Sequence, residues 1–386
     1  MNTFESPQQI VYGTDSLKKL GPIVRSYGSR VFIVSDLMME KLGYLEKIIS
    51  LLQEEGLYTF HYLGANTEPT DLFVEEALQL FKKEQGDVIV TLGGGSCIDT
   101  AKAVAVVATN PGYIGEFMKD RIAEQPPVPL IAIPTTAGTG SEATNVTVIT
   151  DTTNNTKMMI KQFAFLPKVA LVDPSLTVTS PKSVTAATGL DALCHAMESY
   201  FSLKAQPMTK TFSLSAIKKI MNNIQTAYEE GTNLVARDNM SLASLEAGLA
   251  FSNASVTLIH GMSRPIGAMF HVPHGISNAM LLPAILDYTR DEAIIPLAEI
   301  SRMLYPEQKG TDEELADVFI KRVKQLCQEL NIPNLGDWGI KREEFEEVLN
   351  KMAFDALDSG SPNNNPRIPT HEEIVELYLT CYDYQY

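Results

Sequence analysis

The amino-acid sequence predicts an α/β N-terminal domain with a mainly parallel sheet, followed by an all-α C-terminal domain. At 386 residues the chain exceeds the usual size of one hydrophobic core. Its first half alternates short β-branched runs with helical stretches, whereas its second half has helical periodicity almost throughout. We therefore expect the two domains at residues 1–180 and 181–386.

Short β-branched runs in the first half predict the buried strands of the sheet. The runs are residues 31–35, 88–92, 130–133 and 169–172. Between them, residues 45–55 and 72–84 space their apolar side chains as helices do. This alternation is typical of βαβ units around a parallel sheet.

The second half lacks such runs and predicts helices instead. Residues 183–203, 210–229 and 239–260 combine alanine and leucine with helical periodicity. The Ser/Thr/Pro-rich stretch at residues 173–181 has the composition expected where one domain gives way to the next.

Composition argues against several classes of partner. A net charge of -16 without a dense basic patch disfavours nucleic acid and anionic membranes, because their phosphate groups would be repelled. The first residues lack the pattern of a signal peptide, and no apolar run approaches the ~20 residues that span a bilayer. The four cysteines are scattered, which favours reduced thiols. We therefore expect a cytoplasmic protein.

A glycine-rich loop, residues 93–96 (GGGS), separates a predicted strand from a predicted helix that contains Asp99 and Lys102. Glycine lets a ligand approach the backbone closely, and the N–H groups and positive end of the helix dipole can stabilise a phosphate. The alternative is a tight turn without a ligand, which this segment alone leaves open.

A second loop, residues 134–142 (PTTAGTGSE), also follows a predicted strand and is rich in small hydroxyl residues. Two such loops favour one shared ligand, although a Thr-rich loop can also bond only its own backbone. Asp36 ends another strand, where a carboxylate can accept hydrogen bonds from an adenosine ribose and repel a 2′-phosphate. These features predict a Rossmann-like domain that binds NAD in preference to NADP. A helix N-cap is the alternative role for Asp36.

Four of the six histidines lie in the helical half, at positions 195, 260, 271 and 274. Asp191 and His195 are four residues apart in a predicted helix, so they project from one face and can bind one ion. His260 and His274 are separated by prolines, which favours two neighbouring helical segments over one helix. A lone histidine is more often structural, but the set favours a metal site.

Three imidazoles and one carboxylate suit Fe(II) or Zn(II) and are too rich in nitrogen for Mg or Ca. Such an ion lowers the pKa of an alcohol at its open position, and hydride departs more readily from the resulting alkoxide to a nicotinamide. The metal site and the two loops together predict a dehydrogenase.

The two loops and the ordered set of Asp191, His195, His260 and His274 resemble the iron-containing (group III) alcohol dehydrogenase family. The resemblance runs through essentially the whole chain, and the ligand spacing is its most specific part. It implies an N-terminal dinucleotide domain, a C-terminal helical domain and a substrate cleft between them with Fe(II), or Zn(II) in some relatives. It also implies NAD as cofactor, small primary alcohols, diols or aldehydes as substrates, and self-association.

The resemblance assigns roles by position. Asp36 matches the acid that favours NAD, and Lys157 matches a lysine near the ribose. The pyrophosphate loop is matched by Gly94, Gly95, Ser96 and Asp99. Residues around the ribose and nicotinamide are matched by Thr135, Thr136, Thr139 and Thr144. The expected homo-oligomer could form through the early strand at residues 9–12.

One position departs from the family pattern. Many members have a further histidine four residues after the one that matches His260, and this chain has Arg264 there. Arginine cannot shuttle a proton near neutral pH because its pKa exceeds about 12. His271 is therefore a candidate proton relay, with a surface or supporting histidine as the alternative. Arg264 could instead contact an anionic substrate group.

Other functions remain open at this stage. A zinc-dependent polyol dehydrogenase and a lyase of the dehydroquinate synthase type share the architecture, but such relatives generally use fewer histidines at the metal. A mononuclear metal hydrolase could use the same ligands to activate water, yet it would leave the two loops and Asp36 without a purpose. A non-catalytic binding or sensor protein is the third alternative.

Overall fold

The computed structural model describes residues 1–118, 121–154 and 156–385, and its contacts divide the chain into two compact units. One unit is Glu5–Thr179, and the other combines Met1–Phe4 with Ser180–Tyr386. The first four residues join the second unit because the Phe4 ring stacks on Phe212, with 5.6 Å between the ring centroids. The first unit is α/β and the second is mostly helical, which confirms the predicted fold class.

Among the described residues of the α/β unit, six strands form one parallel sheet in the order β1, β8, β5, β4, β2, β3. Their bounds are β1 Gln9–Tyr12, β2 Arg30–Val34, β3 Tyr58–Tyr62, β4 Val88–Gly93, β5 Leu130–Pro134 and β8 Val169–Val172. The four strands predicted from apolar runs agree with β2, β4, β5 and β8 to within one residue at each end.

Helices cover both faces of this sheet. Alternate side chains of β2 point to opposite faces: Phe32 and Val34 pack in one apolar cluster, and Val31 and Ile33 pack in another. The first cluster includes side chains of α4 and α5, and the second includes side chains of α1 and α3. The helices of this unit are α1 Leu20–Arg25, α2 Leu37–Lys41, α3 Tyr44–Glu54, α4 Asp71–Lys83 and α5 Gly95–Thr109.

An antiparallel hairpin of β6 Val146–Asp151 and β7 Thr156–Lys161 was not predicted. The edge strand β3 was missed as well. In all three strands, buried positions alternate with more exposed ones, so no continuous apolar run marks them. The β-branched run at residues 146–150, followed by the polar turn residues at 151–154, was the available signal for the hairpin.

The helices of the second unit confirm the all-α prediction, with one error. Residues 239–260 are not one helix, because α8 ends at Ala254, Ser255 adopts a positive φ of 66° and α9 begins at Leu258. The bounds are α6 Lys182–Phe201, α7 Pro207–Glu229, α8 Leu234–Ala254, α9 Leu258–Phe270, α10 His274–Thr289, α11 Ile294–Leu304, α12 Asp312–Glu329, α13 Arg342–Asp358 and α14 His371–Tyr382.

Within the described ranges, no single helix has both the length and the apolar composition to cross a bilayer. Helices α8 and α9 meet both criteria only when they are counted together, and they are bent by 101° at the break between them.

Candidate metal centre and cofactor loops

The helical unit brings four potential metal ligands together. Asp191, His195, His260 and His274 each offer one ligand atom, and these atoms all lie within 4.8 Å of one another. Asp191 and His195 lie one turn apart on α6, His260 lies on α9, and His274 is the first residue of α10. The prediction that His260 and His274 belong to separate helices is confirmed.

The carboxylate of Asp191 is the centre of this cluster. Its Oδ1 lies 3.9 Å from His195 Nδ1, 3.5 Å from His260 Nε2 and 3.7 Å from His274 Nε2. Burial alone would raise the pKa of Asp191, but the three histidines outweigh this effect and hold the pKa below its usual value. Asp191 is therefore an ionised ligand at neutral pH.

Glu198, which the sequence analysis missed, orients His260. Its side chain is fully buried on α6, and Oε2 is hydrogen-bonded to His260 Nδ1. Oε1 accepts hydrogen bonds from Thr257 Oγ1 at 2.9 Å and from the Ile259 backbone N–H at 2.8 Å. Because Nδ1 is bonded to a carboxylate, the neutral imidazole of His260 carries its proton on Nδ1 and has the lone pair of Nε2 available for an ion.

The Glu198 carboxylate and the His260 imidazole each change the pKa of the other. Burial raises the pKa of Glu198, but His260 more than offsets this effect, and the pKa of Glu198 is lowered overall. Burial likewise lowers the pKa of His260, and the Glu198 and Asp191 carboxylates raise it to about 9. The sequence did contain a signal for Glu198, because positions 191, 195 and 198 follow the 3.6-residue period of one helix face.

Two further residues shape the cluster. The Phe251 ring stacks on the His195 imidazole, with 4.1 Å between centroids and 15° between planes. Gly275 lets α10 approach α6, because a Cβ at this position would lie only 2.8 Å from the Ala187 carbonyl oxygen. Neither role was predicted, since both depend on contacts between helices that are distant in sequence.

The arrangement fits a divalent ion. Asn278 Nδ2 lies 2.6 Å from Asp191 Oδ1, 3.0 Å from His260 Nε2 and 3.2 Å from His274 Nε2, so these three ligand atoms face one common point. Asn278 Oδ1 is buried without a hydrogen-bond partner among the described residues. One ionised carboxylate and three imidazoles form a donor set for Fe(II) or Zn(II).

In the α/β unit, the predicted cofactor loops meet at the carboxyl edge of the sheet. Strands β2, β4 and β5 are neighbours, so Asp36 and the two loops that follow β4 and β5 lie side by side. A Cβ on Gly95 would lie 3.0 Å from Thr139 Cγ2, and one on Gly94 would lie 3.7 Å from the Thr136 side chain. Gly94 is the N-cap of α5, so the first N–H groups of that helix open onto the same half-buried surface.

A buried polar network holds the second loop in place. Asp99 Oδ1 accepts a hydrogen bond from Ser141 Oγ at 2.5 Å, and Oδ2 accepts one from the Val148 N–H at 2.8 Å. Lys102 Nζ donates to Ser141 Oγ at 3.0 Å and to Thr144 Oγ1 at 2.9 Å. Asp99 and Thr144 thus make hydrogen bonds inside the protein that order the loop.

Asp36 is an N-cap, the alternative that the sequence left open. Its Oδ1 accepts hydrogen bonds from the N–H groups of Met38 at 2.8 Å and Met39 at 2.9 Å. Its Oδ2 lies 3.4 Å from Cys97 Sγ, and the side chain is half-buried. Lys157 lies on β7, and its Nζ forms an ion pair with Glu68 at 2.5 Å.

The two remaining candidates are Arg264 on α9 and His271 directly after it. Arg264 follows His260 by one turn and is half-buried. His271 is exposed and ends the helix in the left-handed conformation, with a φ of 54°.

Glu142 provides a test of the loop network. Its side chain is buried, and Oε2 has no hydrogen-bond partner among the described residues. Burial raises its pKa from 4.5 to about 7, so the folded chain holds this proton more tightly than the unfolded chain. The contribution of Glu142 to the free energy of unfolding therefore falls as pH rises through that interval.

We expect Glu142→Gln to remove this titration. Between pH ~5 and pH ~8, the variant should lose less stability than the wild type, by a difference of about 3 kcal/mol at most. Urea unfolding curves at several pH values measure the difference. If the free energies of unfolding of the two proteins change with pH in parallel, the raised pKa of Glu142 is contradicted.

A parallel α/β unit with two loops of phosphate-binding type, followed by a helical unit with a compact Asp/His ligand cluster, points to the class of metal-dependent oxidoreductases that use a dinucleotide. The family model described as iron-containing alcohol dehydrogenase matches residues 7–174. The model described as the C-terminal part of the Fe-containing alcohol dehydrogenase family matches residues 185–382.

Individual proteins agree with this match. An NAD-dependent methanol dehydrogenase of Bacillus methanolicus is 34% identical over 98% of this chain and 99% of its own length. A 1,3-propanediol dehydrogenase of Citrobacter freundii is 35% identical over 98% of this chain and 96% of its own length. The crystal structure of a 1,3-propanediol oxidoreductase has a TM-score of 0.94 at 33% identity, covering 99% of this chain and all 100% of that one. The chain belongs to the iron-containing alcohol dehydrogenase family, and it is an oxidoreductase.

Proposed function

We propose that the protein transfers hydride reversibly between NAD(H) and a small primary alcohol or diol and its aldehyde, with Fe(II) held by Asp191, His195, His260 and His274. The convergence of four ligand atoms within 4.8 Å is the observation that carries the proposal. Relatives named NAD-dependent methanol dehydrogenase and 1,3-propanediol dehydrogenase support the cofactor and the substrate class. Zn(II) is the alternative ion, because it suits the same donor set.

Different residues of the chain bind the ion, orient its ligands and bind the cofactor in this reaction. An ion at the four-residue site supplies a Lewis acid that polarises the oxygen of the alcohol or aldehyde. Glu198 holds His260 in the tautomer that binds the ion. Gly94, Gly95 and Ser96, at the start of α5, bind the pyrophosphate.

The remaining cofactor contacts come from the carboxyl edge of the sheet. Asp36 binds the adenosine ribose and repels a 2′-phosphate, which favours NAD over NADP. Around the ribose and nicotinamide we place Thr135, Thr136, Thr139 and Lys157, with Asp99 and Thr144 ordering the loop.

Aldehyde reduction moves a hydride from NADH to the carbonyl carbon and a proton to its oxygen, so a proton route is needed. We assign the relay to His271, which is exposed three residues before His274. We expect His271→Ala to slow hydride transfer at least about tenfold and to change its pH profile. Transient kinetics of NADH oxidation measure both. An unchanged rate and profile would remove His271 from the relay.

We also propose that the protein is a cytoplasmic homo-oligomer. Strand β1 forms one edge of the sheet, and Tyr12 on this strand is 60% exposed, so β1 can pair with a second copy. The four cysteines are buried and free, which is compatible with a reducing compartment.

The experiment that tests the function is a screen of metal-stripped protein reconstituted separately with Fe(II) and Zn(II). NADH and NADPH are each assayed with methanal, butanal and 3-hydroxypropanal. We expect turnover with NADH and Fe(II), and a lower rate with NADPH. Glycerol oxidation is assayed in parallel with NAD, and turnover only there and only with Zn(II) would favour the zinc polyol alternative. No NADH fluorescence enhancement on binding would favour the metal hydrolase.

A further inference from the structure

The chain has ten arginines, and Arg264 differs from the other nine in the hydrogen bonds of its guanidinium. Each of the other nine donates a hydrogen bond to a carboxylate or a backbone carbonyl. The guanidinium of Arg264 makes neither a hydrogen bond nor an ion pair with any residue that the structure describes, although its side chain is half-buried. None of its nitrogen atoms is among the fully buried polar atoms that lack a partner, so the guanidinium is open to solvent and can bind an anionic ligand.

Helix α9, which carries Arg264, is fixed in place by contacts with other parts of the helical unit. Arg264 lies four residues after the metal-ligand candidate His260 on α9, so the two side chains project from the same face. Tyr378 Oη donates a hydrogen bond to the Met262 carbonyl at 2.7 Å. A Cβ on Gly261 would lie 2.8 Å from Pro362 Cδ, which shows how closely α9 is packed there. The guanidinium is thus presented from a rigid segment beside the metal cluster.

Glu198, whose charge acts on Arg264, does not serve as its hydrogen-bond partner. Glu198 acts on Arg264 only through space, because both Glu198 oxygens are already bonded to His260, Thr257 and Ile259. Burial lowers the pKa of Arg264 to about 10, so the guanidinium is still charged at neutral pH. The face of α9 that carries His260 therefore also presents a positive charge that has no ion-pair partner among the described residues.

We propose that Arg264 binds the carboxylate of an anionic substrate, so that the preferred substrates are short ω-oxo and ω-hydroxy carboxylates rather than neutral alcohols. The planar guanidinium can form two parallel hydrogen bonds to a carboxylate, while the aldehyde or alcohol end of the same molecule reaches the metal site one helical turn away. The inference rests on the proposed function and narrows its substrate class.

The test compares 4-oxobutanoate with butanal, which has the same chain length without the charge. On Fe(II)-loaded protein with NADH, we expect wild-type kcat/KM to be higher for 4-oxobutanoate. Arg264→Met, which keeps the side-chain length, should lower kcat/KM for 4-oxobutanoate at least about 100-fold and leave that for butanal within about threefold. Arg264→Lys, which keeps the charge but not the fork, should lose about tenfold.

A binding measurement on metal-free protein with NADH present supplies a second readout. We expect calorimetry to show that butyrate binds the wild type at least about tenfold more tightly than the neutral butyramide, and that Arg264→Lys weakens this preference. Turnover of butanal without a preference for 4-oxobutanoate, or equal effects of the Arg264 variants on both aldehydes, would overturn the inference and leave the proposed function intact. Failure of the wild type to reduce either aldehyde would overturn both.

Discussion

His260→Ala is expected to abolish retention of the divalent ion. The substitution removes a ligand atom that lies 3.5 Å from Asp191 Oδ1, and it leaves Glu198 buried without the imidazole that it holds. Loss of a residue that only orients a ligand typically weakens metal affinity 10–100-fold, so loss of the ligand itself should exceed about 100-fold. Gel filtration in a buffer with a mild chelator removes weakly bound ion, and inductively coupled plasma mass spectrometry then measures the ion that remains bound to the protein. Turnover with NADH should disappear together with the ion.

His274→Ala should have the same effect on the ion with less effect on folding, because the His274 side chain is 37% exposed. His61→Ala is the matched control, since His61 is exposed on β3 of the other unit and should retain the ion. NADH fluorescence enhancement should be largely unchanged in all three variants, because the proposed cofactor loops belong to the α/β unit. Stoichiometric ion in either ligand variant would refute the assignment of that ligand.

Much of the α/β unit could be predicted because its central strands are buried on both faces. Strands such as β4 and β5 are continuous apolar runs, and they stand out from any neighbouring helix. In the edge strand β3 and in the two strands of the β6–β7 hairpin, more exposed positions separate the buried ones. Each of these strands therefore lacks a continuous apolar run, and its sequence is hard to distinguish from that of a loop.

The metal cluster could be predicted in residue identity but not in geometry. The spacing of Asp191 and His195 on one helix already implies one shared face. The approach of His260 depends on the break between α8 and α9, where Glu198 accepts the Ile259 N–H at the start of the new helix. That contact joins residues 61 positions apart, and no local pattern reports it. The periodicity of α6 pointed to Glu198, but a buried carboxylate has no distinctive sequence neighbours.

Asp36 is a residue whose position could be predicted from the sequence but whose role could not. The position after a buried strand predicted a carboxylate at the carboxyl edge of the sheet, and the structure has it there. The same residue also caps α2 through two backbone N–H groups. An N-cap and a ribose ligand require the same residue type at the same place, so sequence alone could not separate the two roles.

Glu198→Gln is expected to weaken metal binding about 10–100-fold without removing any ligand. Glutamine can present an oxygen to only one side of its amide. If that oxygen accepts from Thr257 and Ile259, the NH₂ group faces His260 Nδ1, and the imidazole must then carry its proton on Nε2, where it cannot bind an ion. If the amide is reversed, its NH₂ group meets two other donors and a buried hydrogen bond is lost.

Either orientation should also lower the free energy of unfolding of the metal-free protein, by about 1–3 kcal/mol. Chelator competition gives the metal affinity, and urea unfolding gives the stability. Glu246→Gln is the matched control, because Glu246 is a partly buried carboxylate on α8 that forms an ion pair with Lys219 at 2.9 Å. That control should leave metal affinity unchanged. Unaltered affinity in Glu198→Gln would show that His260 keeps its tautomer without Glu198, because the imidazole could then still present Nε2 to the ion.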